Sequence, residues 1–196
     1  MTVQERTPRR FTSDEYLTLE RSAESKSEWI DGEIFAMGGG TPDHSTIKTN
    51  IAGELHRQLK GTGCRVYDSD MKVRVVSRRA AMRGLFTYPD VTVVCGEPQF
   101  HDTYGDILVN PKVLFEVLSP STNDYDRGQK RLRYQAIPSL SDYCIVAQSG
   151  PRVEHWLRSP DGTWAVTPVS GLGGSLVLAS IDCGLPLSDI YDRIQW

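Results

Sequence analysis

The run Val113-Leu114-Phe115-Glu116-Val117-Leu118 decides how this chain folds. A continuous apolar stretch of this length is expected of a strand buried on both faces. One carboxylate, Glu116, interrupts it. Upstream, Val91 to Cys95 is a second such run, entered through Tyr88-Pro89-Asp90. Downstream, Tyr143 to Ala147 is a third, and the polar, periodic segment Asp126 to Ala136 between them predicts a helix. Before these runs, Arg65 to Val76 alternates apolar and polar residues, which predicts one strand with a wet face. It follows a helix whose Ile47, Ile51, Leu55 and Leu59 recur at a spacing of four. Thr41-Pro42-Asp43-His44 opens that helix, and Gly61 and Gly63 stop it. The order is helix, three strands, helix, strand.

The ends add to this core. Asp31-Gly32 between the apolar residues of Glu28 to Met37 is a strong hairpin signal. Thr12 to Leu17 begins a short helix from about Ser13 to Ala23. Strands at Val153 to Trp156, Trp164 to Val169 and Leu176 to Leu178, punctuated by Pro160-Asp161-Gly162 and Gly171 to Gly174, predict antiparallel C-terminal additions. The expectation is a single α/β (α+β) domain over residues 11–196 behind a flexible tail, residues 1–10. Its 196 residues are 39% hydrophobic and 24% charged, enough for a core of its own.

Twenty-two Lys and Arg against 25 Asp and Glu leave a net charge of −3, so no global field draws the chain to nucleic acid or an anionic membrane. Any polyanion site must be a local patch. Cys64, Cys95, Cys144 and Cys183 form no CxxC pair and no zinc-spaced cluster, which predicts reduced thiols and a cytoplasmic protein. No apolar run approaches the ~18 residues of a membrane span. Walker, GxSxG, GxGxxG and HExxH motifs are absent.

The candidate chemistry starts from Glu116, because a carboxylate in a buried strand is costly unless paired, hydrogen-bonded or metal-bound. Asp90, at the mouth of a neighbouring strand, is either a turn residue or a second acid within reach of the same cation. Carboxylate oxygens without cysteine or clustered histidine select a hard ion, Mg²⁺ or Mn²⁺. Lys130, Tyr134 and Ile137 lie on one helical stripe, so Lys130 points at the sheet if Ile137 packs inward; otherwise it is a solvated lysine. Asp124 and Asp126 fit the cap and first turn of that helix. Arg65, Lys72, Arg74, Arg78, Arg79 and Arg83 offer phosphate contacts or merely a solvated face.

Taken together, Tyr88-Pro89-Asp90-Val91, Phe115-Glu116-Val117-Leu118-Ser119-Pro120-Ser121-Thr122, Asp126-Arg127-Gly128-Gln129-Lys130 and Ile137-Pro138-Ser139-Leu140 resemble the Uma2 family over about residues 11–192. Trp29 to Ile34 and Asp70 to Val75 are similar to that family too. It belongs to the PD-(D/E)XK restriction-endonuclease-like superfamily, whose core is α-β-β-β-α-β. The resemblance implies that Asp90 and Glu116 bind Mg²⁺. It also implies a lysine two residues after the acid, where this chain has Leu118. A migrated lysine is therefore expected: Lys130 first, Lys72 beside Asp70 as the alternative. Glu33 and His44 lie in matching segments, Glu33 as a further acid near the metal and His44 as a site-edge residue or a cap.

The leading expectation is a Mg²⁺-dependent endonuclease that hydrolyses DNA phosphodiesters. The alternatives are a nucleic-acid-binding or regulatory domain that keeps the nuclease fold without efficient turnover, and a protein-interaction module built on the late strands. Exposed strand ends suggest a homodimer.

Overall fold

The computed structural model describes residues 9–76, 84–119 and 125–196. Most of the N-terminal tail therefore lies outside the described residues, as do Arg78, Arg79 and Arg83, and Pro120, Ser121, Thr122 and Asp124.

The first half holds α1 (Ser13–Ser22), β1 (Ser27–Ile30), β2 (Glu33–Ala36), α2 (Pro42–Leu59), β3 (Cys64–Asp68), β4 (Lys72–Val75), β5 (Leu85–Thr87) and β6 (Val91–Cys95). The second half begins with β7 (Ile107–Leu108) and β8 (Val113–Val117). Next is α3, which opens as a π-helical turn over Asp126–Lys130 and continues as α-helix over Arg131–Tyr134. Then come β9 (Asp142–Val146), β10 (Arg152–Arg158), β11 (Trp164–Ser170), β12 (Ser175–Leu178), β13 (Cys183–Pro186) and α4 (Leu187–Ile190).

The central sheet has six strands in the order β11-β10-β9-β8-β6-β3. Its one parallel pair, β8 with β9, is joined through α3, as a parallel crossover requires. Following the chain through this sheet gives α2, β3, β6, β8, α3 and β9, the α-β-β-β-α-β order expected from the sequence. Both faces are covered, which explains the unbroken apolar runs. On one face Ile47, Ile51 and Leu55 of α2 pack with Val91, Val93, Val113 and Phe115, and the β12–β13 pair adds Leu176, Leu178 and Leu185. On the other, Tyr134 and Ile137 pack with Val94, Leu114, Tyr143 and Ile145. A second sheet, β2-β1-β5-β4-β7, closes that face through Val73, Val75, Leu85 and Leu108.

Local chemistry explains the ends of several elements. Thr12 caps α1 in a capping box with Glu15. The β1–β2 hairpin turns on Asp31 at φ 52° and Gly32 at φ 103°, the positive pair that a tight primed turn demands.

Two expectations are corrected. Arg65 to Val76 is not one strand: β3 lies in the central sheet and β4 in the second. The break is a turn in which Asp68 Oδ1 accepts from the Asp70 N–H at 3.0 Å and Asp68 O from the Met71 N–H at 3.2 Å. Alternation of period two continues through such a turn, so the pattern alone does not reveal it. Nor are all four cysteines free thiols. The β3–β6 register sets Cys64 opposite Cys95, and the two form a disulfide, while Cys144 and Cys183 are free and buried. Their separation of 31 residues hides the pairing from a search for local motifs. No helix among the described residues is long and apolar enough to cross a membrane.

Candidate active site

The β6–β8 ladder pairs Val91 with Phe115, so Asp90 and Glu116 fall one step beyond on adjacent strands. Side-chain alternation puts Asp90 on the face of Thr92 and Val94, and Glu116 on that of Leu114. This is the face covered by α3. Asp90 is fixed twice to β8: its N–H donates to Phe115 O at 3.1 Å, and its Oδ2 accepts from the Val117 N–H at 2.7 Å. Both acids are nearly buried, with exposures of 8% for Asp90 and 5% for Glu116.

Lys130 reaches them from the π-helical turn of α3. Its Nζ lies 2.9 Å from Glu116 Oε1, 3.2 Å from Glu28 Oε1 and 3.6 Å from Asp126 Oδ1. One helical turn further, the Tyr134 hydroxyl donates to Glu116 Oε1 at 2.7 Å. Glu28, carried on β1, also accepts from the Thr87 hydroxyl of β5, so the second sheet forms one wall of the site.

Burial pushes the Glu116 carboxyl well above its ordinary pKa, and the nearby Asp126 and Asp90 add to the rise against the pull of Lys130. Burial opposes the charge on Lys130 as well, but Glu116, Tyr134, Glu28 and Asp126 outweigh it and hold the ammonium well above its usual range. Burial, reinforced by Glu116, likewise keeps Tyr134 a neutral hydroxyl donor. The acids gathered around Lys130 thus favour its charged form.

His44 joins from the other face of the sheet. The cap role falls to Thr41, whose Oγ1 accepts from the His44 N–H at 3.1 Å, and the His44 ring places Nε2 3.2 Å from Asp90 Oδ2. Gln148 ties this edge together, donating to Leu118 O and accepting from the Thr41 hydroxyl.

The structure gathers Asp90, Glu116, Lys130 and His44 and places the other three candidates elsewhere. Lys72 is buried in a neighbouring network, with Nζ 3.1 Å from the Tyr88 hydroxyl and 3.3 Å from Asp106 Oδ2. Tyr88 in turn donates to Glu20 at 2.6 Å, and Arg21 binds both Asp106 and Asp102. Glu33 is a surface acid 3.7 Å from Arg10, and Asp70 pairs with Lys26 at an exposed turn. Of the basic residues within the described segments, Arg65 is exposed and Arg74 contacts His101.

Sequence reasoning missed Glu28 and the role of Tyr134. Trp29 packs into the core, so Glu28 must face the other way, but only the β1–β5 pairing carries it to the site. Tyr134 lay on the predicted stripe with Lys130, and that stripe was the available signal.

The donor set suits a hard divalent cation. Asp90 and Glu116 each spend one oxygen on hydrogen bonds and ion pairs, while Asp90 Oδ1 and Glu116 Oε2 take no hydrogen bond among the described residues. No group of three or more metal-ligating side chains converges there among those residues. Two carboxylates completed by water and phosphate oxygens are a common environment for Mg²⁺.

An α-β-β-β-α-β core that carries an aspartate at the mouth of its second strand and a glutamate within its third is a nuclease-like fold. The crystal structure of a "putative nuclease belonging to DUF820" from Anabaena variabilis superposes with a TM-score of 0.76 at 17% identity, covering 94% of this chain and 99% of that one. The family model Uma2, described as "Putative restriction endonuclease", matches residues 13–188, and the chain belongs to this family. Two uncharacterized Synechocystis proteins are similar along most of their length. One, slr1290, is 32% identical across 93% of this chain and 92% of its own, and the other, sll1609, is 33% identical across 82% and 88%.

Proposed function

We propose that this protein is a divalent-metal-dependent endonuclease that hydrolyses phosphodiester bonds of DNA. The observation that carries the reading is the contact of Lys130 with Glu116 beside Asp90. The sheet provides the two acids, and α3 provides the lysine that Leu118 does not. Leu118 instead packs into the apolar layer against the second sheet, 6% exposed.

Asp90 and Glu116 would hold Mg²⁺ or Mn²⁺ through their free oxygens; when bound, the ion lowers the pKa of a coordinated water and offsets phosphate charge. The chain's own groups do the rest. The Val117 N–H and His44 fix one Asp90 oxygen, leaving the other without a hydrogen bond among the described residues. Tyr134 and Lys130 fix Glu116 in the same way. Lys130 sets its positive charge against Glu116, where it would attract a nonbridging phosphate oxygen, and its carboxylate partners favour the charged form.

The test is cleavage of plasmid and single-stranded DNA with Mg²⁺ or Mn²⁺ by the wild type and by Asp90→Ala, Glu116→Ala and Lys130→Ala. Metal-dependent nicking that all three variants lose is the expected result. Activity that survives Lys130→Ala but not Lys72→Ala moves the lysine role to β4. DNA retained on a filter without cleavage in either metal makes the protein a binding domain on a nuclease fold.

A further inference from the structure

A second group of cations lies beside Asp90, outside the hydrolytic set. The β3–β6 register pairs Asp68 with Val91, so the turn that follows Asp68 runs alongside Asp90. Two ammonium groups from separate elements converge on this turn. Lys26 Nζ donates to Ser69 O at 2.9 Å, and Lys48 Nζ donates to Ser69 Oγ at 3.0 Å. Lys48 lies one helical turn beyond His44 on α2, and Lys26 lies two residues before Glu28 at the entry to β1. Tyr88, two residues before Asp90, sets its ring 5.2 Å from Lys26 Nζ.

The cations here differ in how far they are satisfied. Lys72 is buried against Asp106 and Tyr88, and its charge is committed within the fold. Lys26 shares its charge with Asp70, whose side chain is 80% exposed. Lys48 is half-buried and bonds only the Ser69 hydroxyl among the described residues. An ammonium carries three donors, so Lys48 keeps two to spare and Lys26 keeps one. Ser69 Oγ accepts from Lys48, which leaves its own proton available to a ligand. The opposing charges are Asp68 and Asp70, both exposed.

We propose that Lys26, Lys48 and the Ser69 hydroxyl form a subsite for the backbone phosphate adjacent to the scissile one, so that the preferred substrate is a nucleic-acid strand with consecutive phosphates. The proposal rests on the phosphodiesterase reading above. Spare donors on two lysines and a hydroxyl, set on the turn that the β3–β6 register runs alongside Asp90, match an anion next to the reacting phosphate.

The experiment compares the wild type with Lys26→Ala, Lys48→Ala and Lys48→Arg on two probes: bis(p-nitrophenyl) phosphate, which has one phosphate, and a short fluorescent single-stranded oligonucleotide. Binding of the oligonucleotide is read by anisotropy over a salt series, and calorimetry establishes that each variant is folded. Each alanine variant is expected to weaken oligonucleotide binding about three- to tenfold and to lower the salt slope by about 0.7 per lost phosphate contact. Turnover of the small diester stays at the wild-type level, and Lys48→Arg restores oligonucleotide binding. An unchanged salt slope, equal losses on both probes, or a wild type that binds no oligonucleotide overturns the subsite. Absence of metal-dependent cleavage of plasmid, oligonucleotide and diester alike by the wild type sinks the nuclease reading alone, because the salt slope still decides the subsite.

Discussion

Replacing Lys130 with methionine preserves an unbranched apolar stem and removes the ammonium. What that leaves behind can be worked out from the three contacts at 2.9, 3.2 and 3.6 Å, whose carboxylate side chains are only 6%, 12% and 4% exposed. Breaking a buried ion pair by deleting one partner costs about 3–5 kcal/mol, since the remaining charge has neither water nor counter-ion. A chain of this size shifts in Tm by roughly 2–4 °C per kcal/mol, so Lys130→Met is expected to melt about 6–20 °C lower in chelator at pH 8. The loss shrinks at pH 5. Glu116 is already displaced toward its protonated form by burial and by Asp126 and Asp90, and without Lys130 it takes up a proton more readily still. Against a typical stability of about 5–15 kcal/mol a loss of this size leaves the variant folded at 25 °C except at the bottom of that range, and its melting curve shows whether its activity can be measured. Loss of a positioned charge at the reacting phosphate should lower metal-dependent cleavage by about a hundredfold or more. Scanning calorimetry at the two pH values, paired with a nicking assay, checks both parts. A Tm shift under 2 °C at pH 8, or cleavage at more than half the wild-type rate, refutes the assignment of Lys130 as the cation of this site.

Three further outcomes follow from the same geometry. Because the folded Glu116 carboxyl is raised above its unfolded value, the native state holds a proton that the unfolded chain has released, and stability falls as pH climbs from the ordinary carboxylate range toward that raised value. Glu116→Gln removes this slope and with it the extra Mg²⁺ stabilisation expected at higher pH; melting curves that decline in parallel with the wild type speak against it. Thiol alkylation of the protein unfolded without reductant should label two cysteines, Cys144 and Cys183, and label all four after reduction. Reduction should cost about 3–4 kcal/mol for a loop of this length, and four labelled thiols without reductant would show that the pair is open. Gly84 sits at φ +125°, where an added Cβ meets Val75 O at 3.0 Å, so Gly84→Ala should cost about 1–3 kcal/mol in urea denaturation. A change below about 0.5 kcal/mol contradicts the strained geometry.

The sequence made the core legible where burial on both faces erased periodicity. Val91 to Cys95, Val113 to Leu118 and Tyr143 to Ala147 can be read as interior strands because no exposed face is left to demand polar residues. Short strands such as β5 and β7, of three and two residues, carry no comparable signal, since so few positions cannot display a period. The break between β3 and β4 was hidden for a related reason: the Asp68 turn preserves alternation while sending the chain to another sheet. At the site, Glu116 announced itself by cost, because a lone carboxylate in an apolar strand requires compensation, whereas Asp90 at a strand mouth read equally as a turn residue. Lys130 was legible through its stripe with Tyr134 and Ile137, even though its distance in sequence from Glu116 departs from the spacing implied by the family resemblance. Glu28 had neither signal. Its strand is half-exposed, so an acid there is unremarkable, and it becomes a partner of Lys130 only through the β1–β5 pairing. Cost marks the residues of a buried site when they interrupt their own element, but residues delivered across a tertiary interface look like surface until the sheets are assembled. Leu118 gives Glu116 no cation from its own strand, and Lys130 of α3 meets it instead, since a buried carboxylate selects a cation by where its Nζ arrives and not by its distance along the chain.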